Sequence, residues 1–130
     1  MNMKILLTSI FVDDQKKALK FYTNILRFSK KSDYPIGKNK WLTVVSPEDP
    51  DGTELLLEPN DNQDAKTFQQ AIYKDGIPAK SFWVRDIRSE YERMKKLGVK
   101  FESEPAKIKD GTIITMFDDT CGNYIQLYQN

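Results

Sequence analysis

The sequence predicts an α+β domain made of two copies of a β-α-β-β-β unit joined by a connector helix, with curved mixed sheets that form a cleft. Three observations carry this reading. A strand-ending Val followed two residues later by a capping Asp occurs twice, at Val12 and Asp14 and again at Val84 and Asp86. An amphipathic helical pattern follows each. Each helix then gives way to three strand-like stretches, the last two joined by a polar turn containing Gly. Internal repetition on this scale fixes a fold that local propensity leaves open.

The repeats run over about residues 3–60 and 78–130 with the connector helix at about 63–75, together a single domain over residues 1–130. The stretch from Met1 to Val12 is apolar but broken by Thr8 and Ser9, lacks a small-residue cleavage site and runs straight into a charged helix start. It reads as a buried strand, not a signal peptide. Asp14 and Asp86 stand where their carboxylates can accept the orphan N–H groups of the helices that follow. In the first helix Ala18, Leu19, Tyr22, Ile25 and Leu26 share a face; in the second Ile87, Tyr91, Met94 and Leu97 do, and Gly98 ends it. Strands are expected at about 28–34, Trp41 to Val45 and Thr53 to Glu58, then at about 99–105, Thr112 to Phe117 and Asn123 to Tyr128. The polar turns are Ser46 to Gly52 and Asp118 to Gly122. The connector helix shows an apolar stripe of Ala65, Phe68 and Ile72 and is stopped by Gly76-Ile77-Pro78.

The bulk numbers exclude several function classes. The 130 residues carry 20 Lys and Arg against 19 Asp and Glu. Without a basic excess nucleic acid is not an expected partner, and the Lys clusters at 15–20, 29–31 and 94–100 read as solvated faces. No stretch approaches the ~20 apolar residues needed to span a bilayer, so no membrane partner is expected. One Cys allows no internal disulfide, and the chain reads as cytoplasmic. A Gly-rich phosphate loop is missing, against a nucleotide enzyme.

Val12-Asp13-Asp14, Ala18-Leu19-Lys20-Phe21-Tyr22 and Leu26 resemble the first strand and helix of the glyoxalase/bleomycin-resistance/extradiol-dioxygenase (vicinal oxygen chelate) superfamily. Leu97-Gly98-Val99 and the run Phe117 to Leu127 resemble its closing half. The likeness covers essentially the whole chain and is specific for fold, since this scaffold hosts isomerases, epimerases, dioxygenases, transferases and drug-binding proteins. It implies one divalent metal held by a His on the first strand, a Glu on the fourth, a His on the fifth and a Glu on the eighth. Here those positions fall on Leu7, on Leu55 or Leu56, on Ala79 and on Gln126. Leu and Ala carry no lone pair, Gln is a weak neutral donor, and the chain has no His. A one-residue slip brings in only Glu54. The expectation is therefore no metal and no cofactor.

Strand alternation predicts what faces the cleft. The first strand offers Leu7, Ser9 and Phe11, the third Trp41 and Thr43, and the fourth Leu56 with Glu54 and Glu58. The fifth offers Ala79, Ser81 and Trp83, and the eighth Tyr124, Gln126 and Tyr128. An aromatic lining with a few polar handles suits a flat or amphipathic organic ligand, although Trp41 and Trp83 read equally as core residues at strand spacing. Cys121 lacks a His base and reads as structural, Glu54 reads as a surface carboxylate, and Glu48-Asp49-Pro50-Asp51 reads as a solvated turn and not a calcium loop.

The function expected first is a metal-free protein that binds or sequesters a small hydrophobic or aromatic compound; homodimerisation is implied by the resemblance to the bleomycin-resistance branch. The second is a lyase, isomerase or dioxygenase with an unusual metal site, or a metal-independent one using Glu54, Tyr128 or Cys121. The third is a partner-binding or regulatory domain whose cleft is filled by its own side chains. The sequence names neither ligand nor catalytic residue.

Overall fold

The computed structural model describes residues 2–130; Met1, the first residue of the expected N-terminal strand, lies outside them. The element order is β1 (Leu7–Val12), α1 (Gln15–Lys20), β2 (Ser29–Ile36), β3 (Asn39–Val45), β4 (Glu54–Pro59), α2 (Gln63–Lys74), β5 (Lys80–Trp83), α3 (Ile87–Lys96), β6 (Ala106–Lys107), β7 (Ile113–Asp118) and β8 (Tyr124–Gln129). Two four-stranded mixed sheets result, ordered β1-β4-β3-β2 and β5-β8-β7-β6. This is the predicted two-repeat βαβββ fold. The chain divides into two compact units at residue 66/67, inside α2.

In the first unit β1 pairs parallel with β4, and β3 runs antiparallel to both β2 and β4. Asp14 caps α1, its Oδ1 accepting the Lys17 N–H at 2.9 Å. Gln15 then ties the helix to the sheet: its amide donates to the carbonyls of Lys40 and Leu57, both at 2.8 Å. Ile10, Val12, Leu42, Val44, Leu55 and Leu57 make the core together with Ala18 and Tyr22. After Lys20 the helix widens into a π-helical turn, Phe21–Ile25. The expected stripe assumed an unbroken 3.6-residue period; the wider turn instead buries Phe21 beside Tyr22, while Leu19, Ile25 and Leu26 keep partial exposure.

The expected buried N-terminal strand is also corrected. Pairing begins only at Leu7, and Met3, Ile5 and Leu6 are exposed. That segment is held by the Thr53 hydroxyl donating to the Ile5 carbonyl and the Glu54 N–H donating to that of Leu6, both at 2.9 Å.

The second unit repeats the plan, β5 pairing parallel with β8 and β7 antiparallel with β8 and β6. Asp86 caps α3 through the Ser89 N–H at 3.1 Å, and Ile87, Tyr91 and Met94 are buried. Leu97, expected on the same stripe, is exposed, because the chain leaves helical geometry at that residue before Gly98 turns it at φ +90°.

The strand expected at about 99–105 is not one. Only Phe101 bridges to Phe117 there, and β6 is two residues long. Pro105 supplies no N–H to extend a ladder; the segment is held by the Glu102 N–H donating to the Met116 carbonyl at 2.9 Å, the Asp118 N–H donating to the Lys100 carbonyl at 3.1 Å and the Thr115 hydroxyl donating to the Ser103 carbonyl at 2.8 Å.

Candidate functional site

Residues paired across strands project to the same side of a sheet, so register decides which side chains share a face. In the first unit Leu7, Ser9 and Phe11 pair with Glu54, Leu56 and Glu58, and Leu56 pairs with Thr43. The fourth-strand residue left open by the sequence is therefore Leu56; Leu55 lies in the core on the α1 side. Trp41 follows Thr43 by alternation and pairs with Tyr34. The face opposite α1 thus carries Leu7, Ser9, Phe11, Trp41, Thr43, Glu54, Leu56 and Glu58.

One polar chain crosses that face. A register shift between Lys30 and Ser32 breaks the β2–β3 ladder, and the Ser32 N–H is satisfied by the Thr43 hydroxyl at 3.1 Å. The same hydroxyl donates to Glu54 Oε1 at 2.7 Å. Thr43 is fully buried and Glu54 half-buried, so one carboxylate oxygen is fixed by a side chain that cannot swing away.

In the second unit Ser81 pairs with Gln126 and Trp83 with Tyr128, and the Ala79 N–H donates to the Tyr124 carbonyl at 2.9 Å. Ile114, Met116 and Asp118 on β7 share this face, opposite α3. Trp83 is 51% exposed, with its indole N–H donating to Asn130 Oδ1 at 3.1 Å; the reading of Trp83 as an ordinary core residue does not describe it. The pairings repeat between units, Ser9 with Leu56 matching Ser81 with Gln126 and Phe11 with Glu58 matching Trp83 with Tyr128.

Sequence reasoning missed Tyr73. From α2 its hydroxyl donates to Asp118 Oδ2 at 2.5 Å, and its ring stacks on Tyr124 with centroids 4.5 Å apart. Hydrogen bonding to Asp118 pushes the Tyr73 phenol well above the ordinary 10.0, with burial and then Tyr124 adding to the effect. The expected stripe of Ala65, Phe68 and Ile72 pointed elsewhere: Phe68 is 61% exposed and Gln69 is buried. Gln69 donates its amide to the Cys121 carbonyl and to Asn123 Oδ1, each at 3.2 Å, so hydrogen bonding and not the apolar stripe sets the helix's rotation. Two long polar side chains with remote partners leave no local signal of this.

Cys121 is buried in the Asp118–Gly122 turn. Asp119 Oδ1 accepts the N–H groups of Cys121 and Asn123 at 2.7 and 3.1 Å. A thiol enclosed in this way has a packing role and no access to a substrate, which removes it as a nucleophile. In the acidic run 48–51, Lys31 Nζ donates to the Pro50 carbonyl at 2.6 Å and pairs with Asp51 at 3.3 Å, so this is a solvated turn clipped by a lysine.

The positions that the resemblance implies as metal ligands hold Leu7 and Leu56 in the first unit and Ala79 and Gln126 in the second. These side chains do not fit a metal, because only Gln126 has a donor atom and it is neutral. Among the described residues no group of three or more His, Cys, Asp or Glu is placed to hold a metal ion, and no helix is long and apolar enough to cross a membrane.

The sequence matches the Glyoxalase/Bleomycin resistance protein/Dioxygenase superfamily over residues 4–127, and the chain belongs to that family. YurT of Bacillus subtilis is 57% identical over 127 residues, covering 98% of this chain and 99% of that one. A probable lactoylglutathione lyase of Synechocystis is 30% identical, with 98% and 95% coverage. Among solved structures, UcmS2 superposes with a TM-score of 0.84 at 32% identity, covering 98% of each chain. TnmS3, an antibiotic binding protein from a Streptomyces species, has a TM-score of 0.73 at 24% identity over 98% and 96% of the two chains, and shares the fold.

Proposed function

We propose that this chain is a metal-free binding protein for a small hydrophobic or aromatic compound, acting as a homodimer in the cytoplasm. The observation that carries the reading is the register of the two sheets. Within the first unit Leu7 and Leu56 share a face with Phe11 and Trp41, and within the second Gln126 shares a face with Ser81, Trp83 and Tyr128. Ser9, Thr43, Ser81 and Gln126 supply hydrogen-bonding handles to orient a ligand. An apolar surface with few directed polar groups binds through desolvation and stacking. That an antibiotic-binding protein shares this fold is consistent with the reading.

The test is metal analysis of protein purified without affinity metal, with native mass spectrometry of the same sample. Metal-free protein with a co-purified small molecule, its retention weakened in Trp41→Ala or Trp83→Ala, is the expected result. A second reading, a lyase with an unusual site, draws on the Synechocystis relative. Stoichiometric transition metal, or turnover to lactoylglutathione, would replace the binding reading with that one. Sedimentation velocity tests the dimer, a two-chain mass being the expected outcome.

A further inference from the structure

The distribution of charge over the two sheets narrows the ligand's chemistry. Lys and Arg are 20 of 130 residues, yet none occupies a register position on the face opposite α1 or on the face opposite α3. The paired strand lysines all have the other parity: Lys30 pairs with Val44, Lys40 with Pro35, Lys80 with Ile125 and Lys107 with Ile113. Lys31 sits in the register shift and is bonded to the 50–51 turn. Acidic residues do occupy the faces: Glu54 and Glu58 in the first unit, Asp118 in the second.

Asp118 is engaged by Tyr73, whereas Glu54 and Glu58 form no ion pair among the described residues. Glu54 is the better-organised of the two. Buried Thr43 holds its Oε1, leaving Oε2 without a hydrogen bond among the described residues. The carboxylate stands across from Leu7 on the sheet that carries Trp41 and Phe11. A planar cation meets both the carboxylate and the aromatic faces favourably, through charge-assisted hydrogen bonding and cation–π attraction. An anion on the same face meets Glu54 and Glu58, with no Lys or Arg at any of that face's register positions among the described residues.

Building on the binding reading, we infer that the compound taken by the first unit's face is an aromatic cation, a planar ring system bearing a protonated amino group, with Glu54 as its specificity-determining contact and Thr43 as the residue that positions Glu54. Three tricyclic probes of similar shape test this by fluorescence anisotropy with the full chain: proflavine (cationic), acridone (neutral) and anthracene-9-carboxylate (anionic). The expected order is proflavine, then acridone, then the carboxylate. Glu54→Gln should weaken proflavine roughly ten- to a hundredfold while changing acridone less than about threefold. Glu58→Gln, away from the Thr43 contact, should weaken proflavine by a smaller factor and guards against a folding defect in the first variant. Thr43→Val should lower proflavine affinity, with circular dichroism confirming the fold of each variant. Equal or tighter binding of the carboxylate, or an unchanged proflavine-to-acridone ratio in Glu54→Gln, would overturn the cation assignment and leave the binding reading intact. Failure of all three probes to bind would remove both.

Discussion

The Tyr73 ring lies flat on that of Tyr124, with planes within 5° and centroids 4.5 Å apart, while its hydroxyl donates to Asp118. One side chain of α2 thus contacts both strands, β7 and β8, that flank the Asp118–Gly122 turn. Tyr73→Phe keeps the stack and removes the hydrogen bond to a carboxylate, so a loss of about 1.5–3 kcal/mol is expected in urea denaturation. The pH dependence has a definite sign. The folded state holds the Tyr73 proton more tightly than the unfolded chain does, so this contribution is fully present below pH 10.0 and is lost as pH rises above it. Wild type should therefore lose its advantage over Tyr73→Phe progressively in alkali. An advantage that persists undiminished in strong alkali would mean that Tyr73 has no raised pKa.

On α2, neighbouring positions should respond unequally to opposite changes in polarity. Phe68 is 61% exposed, and Phe68→Ser should shift stability by no more than about 0.5 kcal/mol. Gln69→Leu is close in size but strips the donor from the Cys121 carbonyl and Asn123 Oδ1, and should cost about 1–3 kcal/mol. Thermal denaturation of both variants decides it; a large loss for Phe68→Ser with a small one for Gln69→Leu would restore the apolar stripe read from the sequence.

These two helical positions mark where the sequence was not legible, and the strands show where it was. Repetition and strand parity are local, periodic signals, and they placed Leu7, Ser9, Phe11, Trp41 and Thr43 on one face, and Ser81, Trp83, Gln126 and Tyr128 on another. They also separated Leu56 from Leu55 as soon as one pairing was known. Both helix caps were readable for the same reason, since Asp14 and Asp86 act within three residues. What failed depended on partners far along the chain. Gln69 meets residues more than fifty positions away, Tyr73 reaches Asp118, and the stretch at 99–105 alternates like a strand but lacks the N–H at Pro105.

The π-helical turn gives a direct comparison within one helix. It carries Phe21 into the core, 9% exposed, while Leu19 on the preceding turn is only half-buried. Phe21→Ala should cost about 3–4 kcal/mol, since it deletes a buried ring and leaves a cavity; Leu19→Ala should cost less than about 2. Chemical denaturation midpoints test the order, and the reverse order would mean the helix keeps a regular period past Lys20.

Gly122 is the position where substitution meets two obstacles at once. Its φ of +97° disfavours any side chain, and a Cβ there would stand 2.7 Å from the Gln69 amide nitrogen. Gly122→Ala should therefore cost about 2–4 kcal/mol, part from the backbone and part from displacing Gln69 from the Cys121 carbonyl. The two parts are separable by a double-mutant cycle. Gln69→Ala removes the steric part in advance and already gives up the hydrogen bonds that Gly122→Ala would break. The double variant should thus be more stable than the summed single losses imply, by about 0.5–2 kcal/mol. Strict additivity in urea denaturation would show that the turn accommodates a methyl group without moving Gln69 and that the whole cost lies in the backbone.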